Sequence, residues 1–327
     1  MISRGIIRIA VEIRNNLKGV LGRFGVGAGG MDREVPALLC RTSRHIQDAD
    51  ESGWGQVIDA QKLTDSSGVP RSTKGEFDPG LPVGIRNLPP PGELIYIRTT
   101  GSGENYEVFH RETPNPIGIY KPRSDASLIR DEETASESSR MLGVGNVPYT
   151  IKWVGHKGDG VLQEYVPNKG ENSEFETDAA KGIAAFDYIM AGPDSTVGDV
   201  LKGIDGTIVR VDNEGSIPDP TRNNNNHLLS RYVTRNFGEP LPAGIVDRLC
   251  QVPRDHFSTF LESRGHSREA SAWATERLVE IQTKGKITGE AWGCAIVDDD
   301  YRVVYPRGYE SLSEFWDDRP DGEDINR

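Results

Sequence analysis

Cysteine is scarce in this chain of 327 residues, which contains only Cys40, Cys250 and Cys294. The three lie far apart, form no CxxC pair and have no histidine at ligand spacing, so we expect neither a disulfide framework nor a cysteine-based zinc site. A reducing, cytoplasmic compartment is the simple interpretation. Long apolar runs are also missing, and we therefore expect neither a membrane span nor a secretory leader.

Positive charge is in deficit as well, since 38 lysines and arginines stand against 50 aspartates and glutamates, for a formal net charge of -12. General nucleic-acid binding needs a concentrated basic surface that neutralises phosphates, and this composition argues against it. A nucleotide can still be bound by one local basic pocket. The hydrophobic content of 35% is enough to bury the core of one large domain or two modest ones.

The first thirty residues carry an apolar stripe at alternating steps of three and four, which predicts an amphipathic helix over 1–30. Basic residues interrupt the stripe, as in helices that bind a partner or a membrane surface. Docking of this helix on its own domain explains the pattern equally well. Residues 31–90 have faint periodicity and end in a proline-rich connector, so we expect an irregular extension there.

Regular elements are predicted after this extension. The segments ELIYIRTT, NYEVFH and IGIYK predict three adjacent antiparallel strands, and residues 128–142 a helix ended by Gly143. VPYTIKWV and GVLQEYV predict two more strands, TDAAKGIAAFDYIMAG a helix, and GTIVRVD a strand. A further helix is expected between Ser267 and Gly285, and residues 311–327 are interpreted as an acidic, mobile tail.

Several polar residues stand where phosphoryl transfer from ATP would need them. The turn between the first two strands contains Thr100, Gly101, Ser102 and Gly103, whose backbone N–H groups can cover phosphates. Lys121 ends the third strand, and Glu132 or Glu133 on the next helix can hold it by an ion pair. Taken singly, an ordinary hairpin and surface charges explain these residues as well.

The order of five fragments adds a family resemblance. IYKP, DEETASESSRMLGVGNVP, GVLQEYV, AAFDYIMAGPDSTVGDVL and VRVDNEG together resemble the atypical kinases related to phosphatidylinositol 3- and 4-kinases, in particular their bacterial branch and the HipA-like protein kinases. The resemblance covers about Leu94 to Pro218. It implies an α+β, two-lobed protein-kinase-like fold, with a β-rich N-lobe and hinge at 91–166 and a mainly helical C-lobe at 167–310.

The resemblance also implies roles for individual residues. Lys121 matches the lysine that contacts ATP phosphates, with Glu132 as its carboxylate partner and Glu133 as the second choice. The backbone of the hinge around Glu164, Tyr165 and Val166 would contact the adenine edge.

The catalytic loop of the family implies three further roles. Asp194 falls at the position that orients the acceptor hydroxyl, while Asp199 and Asp212 fall at positions that hold Mg²⁺ or Mn²⁺. Ser195 stands where the family generally has arginine, and Ala191 or Gly192 replaces an asparagine, so we expect the hydrogen bonds that brace this loop to be missing. Asp187, on the preceding helix, is interpreted as a structural acid that braces the loop.

The function that these residues favour is that of an ATP- and Mg²⁺-dependent phosphotransferase, specifically a Ser/Thr protein kinase with a protein substrate. A nucleotide-binding pseudokinase or scaffold, acting through its N-terminal helix, is the alternative from another class. A lipid kinase or a nucleotidyl transferase would use the same residues.

Overall fold

The computed structural model describes residues 58–59 (backbone alone), 88, 91–99, 104–192, 195–218, 227–292 and 294–318. The helix predicted at 1–30, nearly all of the extension 31–90, the turn at 100–103 and Asp194 lie outside these residues. The described chain has an α+β fold, with a part rich in β-sheet followed by a mainly helical part. Among the helices described, none is both long and apolar enough to cross a bilayer.

A six-stranded sheet forms the first part. Its strands are β1 (Ile58–Asp59), β2 (Leu94–Arg98), β3 (Tyr106–His110), β4 (Pro116–Pro122), β5 (Thr150–Gly155) and β6 (Gly158–Glu164). They lie in the order β1-β2-β3-β4-β6-β5, and every neighbouring pair is antiparallel. The prediction of three adjacent antiparallel strands is confirmed by β2, β3 and β4.

The two faces of this sheet have different contents. One face carries a cluster of buried aromatic and aliphatic side chains, among them Tyr96, Tyr106 and Tyr120. Because successive residues of a strand point to opposite faces, Lys121 lies on the other face from Tyr120. The sequence alternation of β4 therefore directs one buried lysine away from the aromatic cluster.

Helix α1 (Ala126–Leu142) packs on the sheet at β5 and β6. Asp125 caps its first turn by accepting the N–H of Ser127, and Gly143 ends it in the left-handed conformation at φ 66°, as predicted. Serine hydroxyls dock the helix: Ser136 donates to the carbonyl of Pro148 at 2.9 Å and accepts the N–H of Thr150 at 3.0 Å. Hydrogen bonds to backbone thus supplement the few apolar side chains that this helix buries, Ile129, Ala135 and Leu142.

The mainly helical part is built around α2 (Asp178–Met190), which is buried along most of its length. The other helices are α3 (Arg231–Arg235), α4 (Ala243–Cys250), α5 (Arg254–Ser263) and α6 (Arg268–Lys284). The predicted ends of α6 are confirmed, with Ser267 as the N-cap and Gly285 as the left-handed C-cap. Residues 165–167 connect β6 to this part of the chain.

Two small sheets complete this part of the chain. One contains β7 (Asn168–Glu171), β8 (Val200–Gly203) and β9 (Ile208–Arg210), and the other contains β10 (Leu228–Leu229), β11 (Ile296–Val297) and β12 (Val303–Tyr305). The strand predicted from GTIVRVD is shorter than expected, because it ends at Arg210 and leaves Asp212 in the loop that follows.

The predicted tail at 311–327 needs a correction at its beginning. Residues Leu312–Asp317 form a helix, α7, capped by Ser311, whose hydroxyl accepts the N–H of Glu314. Phe315 is buried in a cluster with Leu229 and Val297. Burial of this aromatic ring outweighs the acidic composition of the segment, which is why the tail prediction was wrong here.

His266 connects the α5–α6 loop to α1, and it makes the stability of this packing depend on pH. Its Nε2 lies 3.1 Å from Thr134 Oγ1, and the residue is buried. Burial, with the nearby charge of Arg130, lowers the pKa of His266 from 6.5 to about 4. The unfolded chain therefore binds a proton between these two values while the folded chain does not, and stability falls as the pH drops through this window.

We expect that lowering the pH from 7 to 4.5 costs the wild type on the order of 2 kcal/mol more unfolding free energy than it costs His266→Gln. Glutamine can still contact Thr134 but binds no proton. Urea unfolding of the full chain at both pH values measures the difference. His256→Gln, which changes an exposed histidine of α5, should keep the slope of the wild type. An equal pH slope in wild type and His266→Gln would contradict the prediction.

Candidate functional site

Lys121 is a buried cation on the face of the six-stranded sheet opposite the aromatic cluster. Its Nζ lies 2.5 Å from Glu132 Oε1 and 3.5 Å from Asp212 Oδ1, and its side chain is 6% exposed. Burial acts to lower the pKa of Lys121, but the charges of Glu132 and Asp212 outweigh burial and raise it. The lysine is therefore held ionised at a point where strand β4, helix α1 and the loop after β9 meet.

Glu132 and Glu133 were both open as the partner of this lysine, and the structure separates them. Glu132 is completely buried and accepts from Lys121, whereas Glu133 Oε1 accepts the backbone N–H of Lys152 at 2.5 Å. The second oxygen of Glu132, Oε2, is buried and accepts no hydrogen bond. Glu132 thus presents one paired oxygen and one unpaired oxygen to the interior.

Asp212 stands in the left-handed conformation, at φ 59°. This region is sparsely populated by residues other than glycine, although aspartate and asparagine adopt it more readily than most. Arg210 stabilises the turn because its Nη1 donates to the carbonyl oxygen of Asp212 at 2.7 Å. The carboxylate is about half exposed, so it can contact both Lys121 and a ligand from solvent.

Arg123 and Glu214 were not singled out by the sequence, yet they lie next to these groups. Arg123 Nε donates to Glu214 Oε1, and both side chains are mostly buried. Glu214 follows Asp212 by two residues in VRVDNEG, which is the signal that could have found it. Among the residues that the structure describes, Glu132, Asp212 and Glu214 each offer one carboxylate oxygen, and the three oxygens lie within 4.8 Å of one another.

Asp187 braces the loop that follows α2, which is the role predicted for it. Its Oδ2 accepts hydrogen bonds from Ser195 Oγ at 2.5 Å and Ser230 Oγ at 2.8 Å, and its Oδ1 accepts from Arg210 Nε at 3.1 Å. All four residues are buried. Ser195, which stands in place of an arginine, is therefore part of this brace.

The expectation that the bracing bonds are missing was thus wrong. The guanidinium comes from Arg210 on β9 instead of from the loop, and sequence comparison at position 195 alone cannot reveal it. Ala191 ends α2 in the left-handed conformation, and its N–H donates to the carbonyl of Asp187 at 2.8 Å. The backbone on both sides of residues 193 and 194 is held by the same carboxylate residue.

Asp199, a predicted metal ligand, lies in the short 3-10 helix Val197–Asp199. Its Oδ2 accepts from the backbone N and the Oγ1 of Thr196, both at 2.8 Å. Burial raises the pKa of Asp199, although Arg210 and Thr196 act against this. The residue belongs to the neighbourhood of Asp212, since its carbonyl accepts the N–H of Val211 at 2.7 Å, but it is not a member of the group of three carboxylates.

Only some of the residues predicted to bind nucleotide lie within the described part of the chain. Glu164, Tyr165 and Val166 are half-buried at the end of β6, and the N–H of Glu164 donates to the carbonyl of Tyr149 at 2.7 Å. Thr100, Gly101, Ser102 and Gly103 lie outside the described residues, as does Asp194. The roles of these residues remain predictions.

No protein-family model matches the chain, and no curated protein matches it in sequence. Solved structures similar to it include two at 11% sequence identity. One, of the Helicobacter pylori proinflammatory kinase CtkA, has a TM-score of 0.31 and covers 59% of this chain and 91% of that chain. The other contains HipA, HipB and operator DNA of a Shewanella oneidensis toxin-antitoxin system; its TM-score is 0.25, covering 70% of this chain and 64% of that chain. The likeness is distant, so the case for a function rests on the side chains.

The brace around Asp187 leads to a stability prediction. Asp187→Asn removes the charge that compensates the buried guanidinium of Arg210, and we expect a loss of about 3 to 5 kcal/mol of unfolding free energy. Urea unfolding of the full chain measures it. Glu290→Gln, which breaks an exposed ion pair with Lys284, is the control and should cost less than about 1 kcal/mol.

Addition of Arg210→Met to Asp187→Asn should recover part of this loss, because the uncompensated charge is then gone. If Asp187→Asn and the Glu290→Gln control unfold at the same urea concentration, the brace contributes far less than its geometry indicates.

Proposed function

We propose that the chain is an ATP- and Mg²⁺-dependent phosphotransferase with a two-lobed, kinase-like arrangement, residues 91–166 forming the N-lobe and hinge and residues 167–310 the C-lobe. One observation carries the proposal: the buried strand lysine Lys121 contacts both the helix carboxylate Glu132 and the loop carboxylate Asp212. Kinases use a lysine held by a helix acid, next to a metal-binding aspartate, to bind and polarise the phosphates of ATP.

Lys121 is the residue that contacts the ATP phosphates in this proposal. The neighbouring carboxylates raise its pKa, so it carries a positive charge at neutral pH. Glu132 fixes the position of the ammonium group through a 2.5 Å contact within the interior. A charge that is positioned before the nucleotide arrives needs no reorganisation during the reaction, which is the main source of electrostatic catalysis.

Asp212 holds Mg²⁺ or Mn²⁺ in this proposal, with Asp199 as the second ligand that the family resemblance implies. The donor chemistry fits, since these cations prefer carboxylate oxygens, and Glu132 offers a buried oxygen without a hydrogen-bond partner nearby. The bound cation would neutralise charge on the phosphates. Asp212 is exposed enough to reach a ligand from solvent while its backbone is held by Arg210.

The reaction proposed is transfer of the γ-phosphoryl group to a hydroxyl. Asp194 orients the acceptor hydroxyl and takes its proton, the bond between the γ-phosphorus and the bridging oxygen breaks, a bond to the acceptor oxygen forms, and ADP leaves. The turn Thr100–Gly103 covers the phosphates, and the backbone of residues 164–166 contacts adenine. The brace around Asp187 supports the assignment of Asp194, because it holds the chain on either side of that residue.

The resemblance to the bacterial kinases related to phosphatidylinositol 3- and 4-kinases favours a Ser/Thr protein kinase with a protein substrate. A lipid kinase, a nucleotidyl transferase and a pseudokinase or scaffold acting through its N-terminal helix are the alternatives. The size of the group added to a labelled product separates phosphoryl from nucleotidyl transfer. Binding of ATP without release of ADP identifies a pseudokinase.

We expect the purified full chain to release ADP from ATP when Mg²⁺ or Mn²⁺ is present, and Asp212→Asn to lower this rate by roughly a hundredfold or more. Asparagine is chosen because it tolerates the left-handed backbone at this position, so that the variant differs chiefly in charge. Asp205→Asn, in the turn between β8 and β9, is the matched control and should turn over like the wild type.

Two results would count against the proposal. Equal rates in Asp212→Asn and wild type would mean that the site is assigned wrongly. The second is that the wild type binds ATP but neither releases ADP nor transfers label to itself or to added substrates. The chain would then be a nucleotide-binding protein without turnover.

A further inference from the structure

Five charged side chains converge where β4 faces the loop after β9. Lys121, near the end of β4, contacts Asp212, and Arg123, directly after the strand, contacts Glu214. Glu132 completes the group from α1. Three acids thus face two bases, and the cluster carries one negative charge in excess.

The unpaired second oxygen of Glu132 indicates that a cation can balance this excess negative charge. Glu132 is 0% exposed, and its Oε2 accepts no hydrogen bond although Oε1 accepts from Lys121. A buried carboxylate oxygen without a partner loses its hydration without compensation, which destabilises the ion-free site. A cation that binds Oε2 would remove this cost while leaving the contact between Oε1 and Lys121 intact.

The spacing of the carboxylates suits a cation. One oxygen each from Glu132, Asp212 and Glu214 lies within 4.8 Å of the other two. Oxygens that share a divalent cation at roughly 2.1 to 2.5 Å lie at such separations or closer.

We propose that Glu214 binds a divalent cation together with Asp212 and Oε2 of Glu132. While the cation is absent, Arg123 forms an ion pair with Glu214 in its place. The inference rests on the proposed function in one respect, since Asp212 holds the cation in both. It adds Glu214 and Arg123, to which the kinase resemblance assigns no role. Cation binding then replaces Arg123 as the partner of Glu214 and frees its guanidinium.

The exchange makes a distinctive prediction, because the two members of the ion pair should act in opposite directions. Glu214→Gln removes a ligand and should weaken Mn²⁺ binding about tenfold or more, whereas Arg123→Gln removes a competitor and should strengthen it several-fold. A structural ion pair would behave differently, because loss of either partner would destabilise the fold in the same sense.

The experiment is a titration of the full chain with Mn²⁺ in the absence of nucleotide, with free Mn²⁺ followed by electron paramagnetic resonance. Wild type, Glu214→Gln, Arg123→Gln and Asp212→Asn are compared, and thermal unfolding verifies that each variant is folded. Glu174→Gln, which breaks the exposed ion pair with Lys202, is the control for weak binding at surface acids and should match the wild type.

Weaker binding in Glu214→Gln together with tighter binding in Arg123→Gln supports the inference. Unchanged affinity in Glu214→Gln overturns it, as does weaker binding in Arg123→Gln. If Glu214→Gln does not fold, Arg123→Gln decides alone, and an affinity no tighter than the wild type overturns the inference. The proposed function fails separately, through the absence of ATP turnover in the wild type, so an inactive site and a wrongly assigned ligand are distinguishable.

Discussion

The buried ion pair between Lys121 and Glu132 is the interaction on which the site depends. Removing two opposite charges from water is costly, and their attraction compensates only when the geometry is good and the remaining polar atoms have partners. The geometry is good, since Lys121 Nζ lies 2.5 Å from Glu132 Oε1. One polar atom still has no partner, because Oε2 of Glu132 accepts no hydrogen bond. The pair therefore fixes α1 against β4 while leaving one oxygen available for a ligand.

The charges of the two parts of the molecule form a continuous chain. Asp187 holds Arg210, Arg210 holds the backbone of Asp212, and Asp212 contacts Lys121 on the sheet. The loop predicted to orient the acceptor and the residue predicted to hold metal are thus positioned by the same guanidinium. A change at Asp187 is expected to reach Asp212 through Arg210, even though Asp187 faces neither phosphate nor metal in the proposed reaction.

Local signals in the sequence predicted the elements well where caps and periodicity agree. α6 begins after Ser267 and ends before Gly285 because side-chain capping and the left-handed glycine act within a few residues of each helix end. Signals that depend on distant partners were missed. α7 is helical because Phe315 packs on strands of another segment, and the pairing of Arg123 with Glu214 joins residues 91 positions apart.

The sequence by itself determined the strands β2 to β6, the helix α2, the C-terminal cap of α1, both caps of α6, and the acids and lysine that a phosphotransferase would need. Alternation along β4 also determined that Lys121 and Tyr120 lie on opposite faces. Only the tertiary structure decided which acid pairs with Lys121, that Arg210 replaces the loop arginine, and that Glu214 joins the carboxylate group. These outcomes depend on distances between side chains far apart in the chain, and local propensity and periodicity contain no information about such distances.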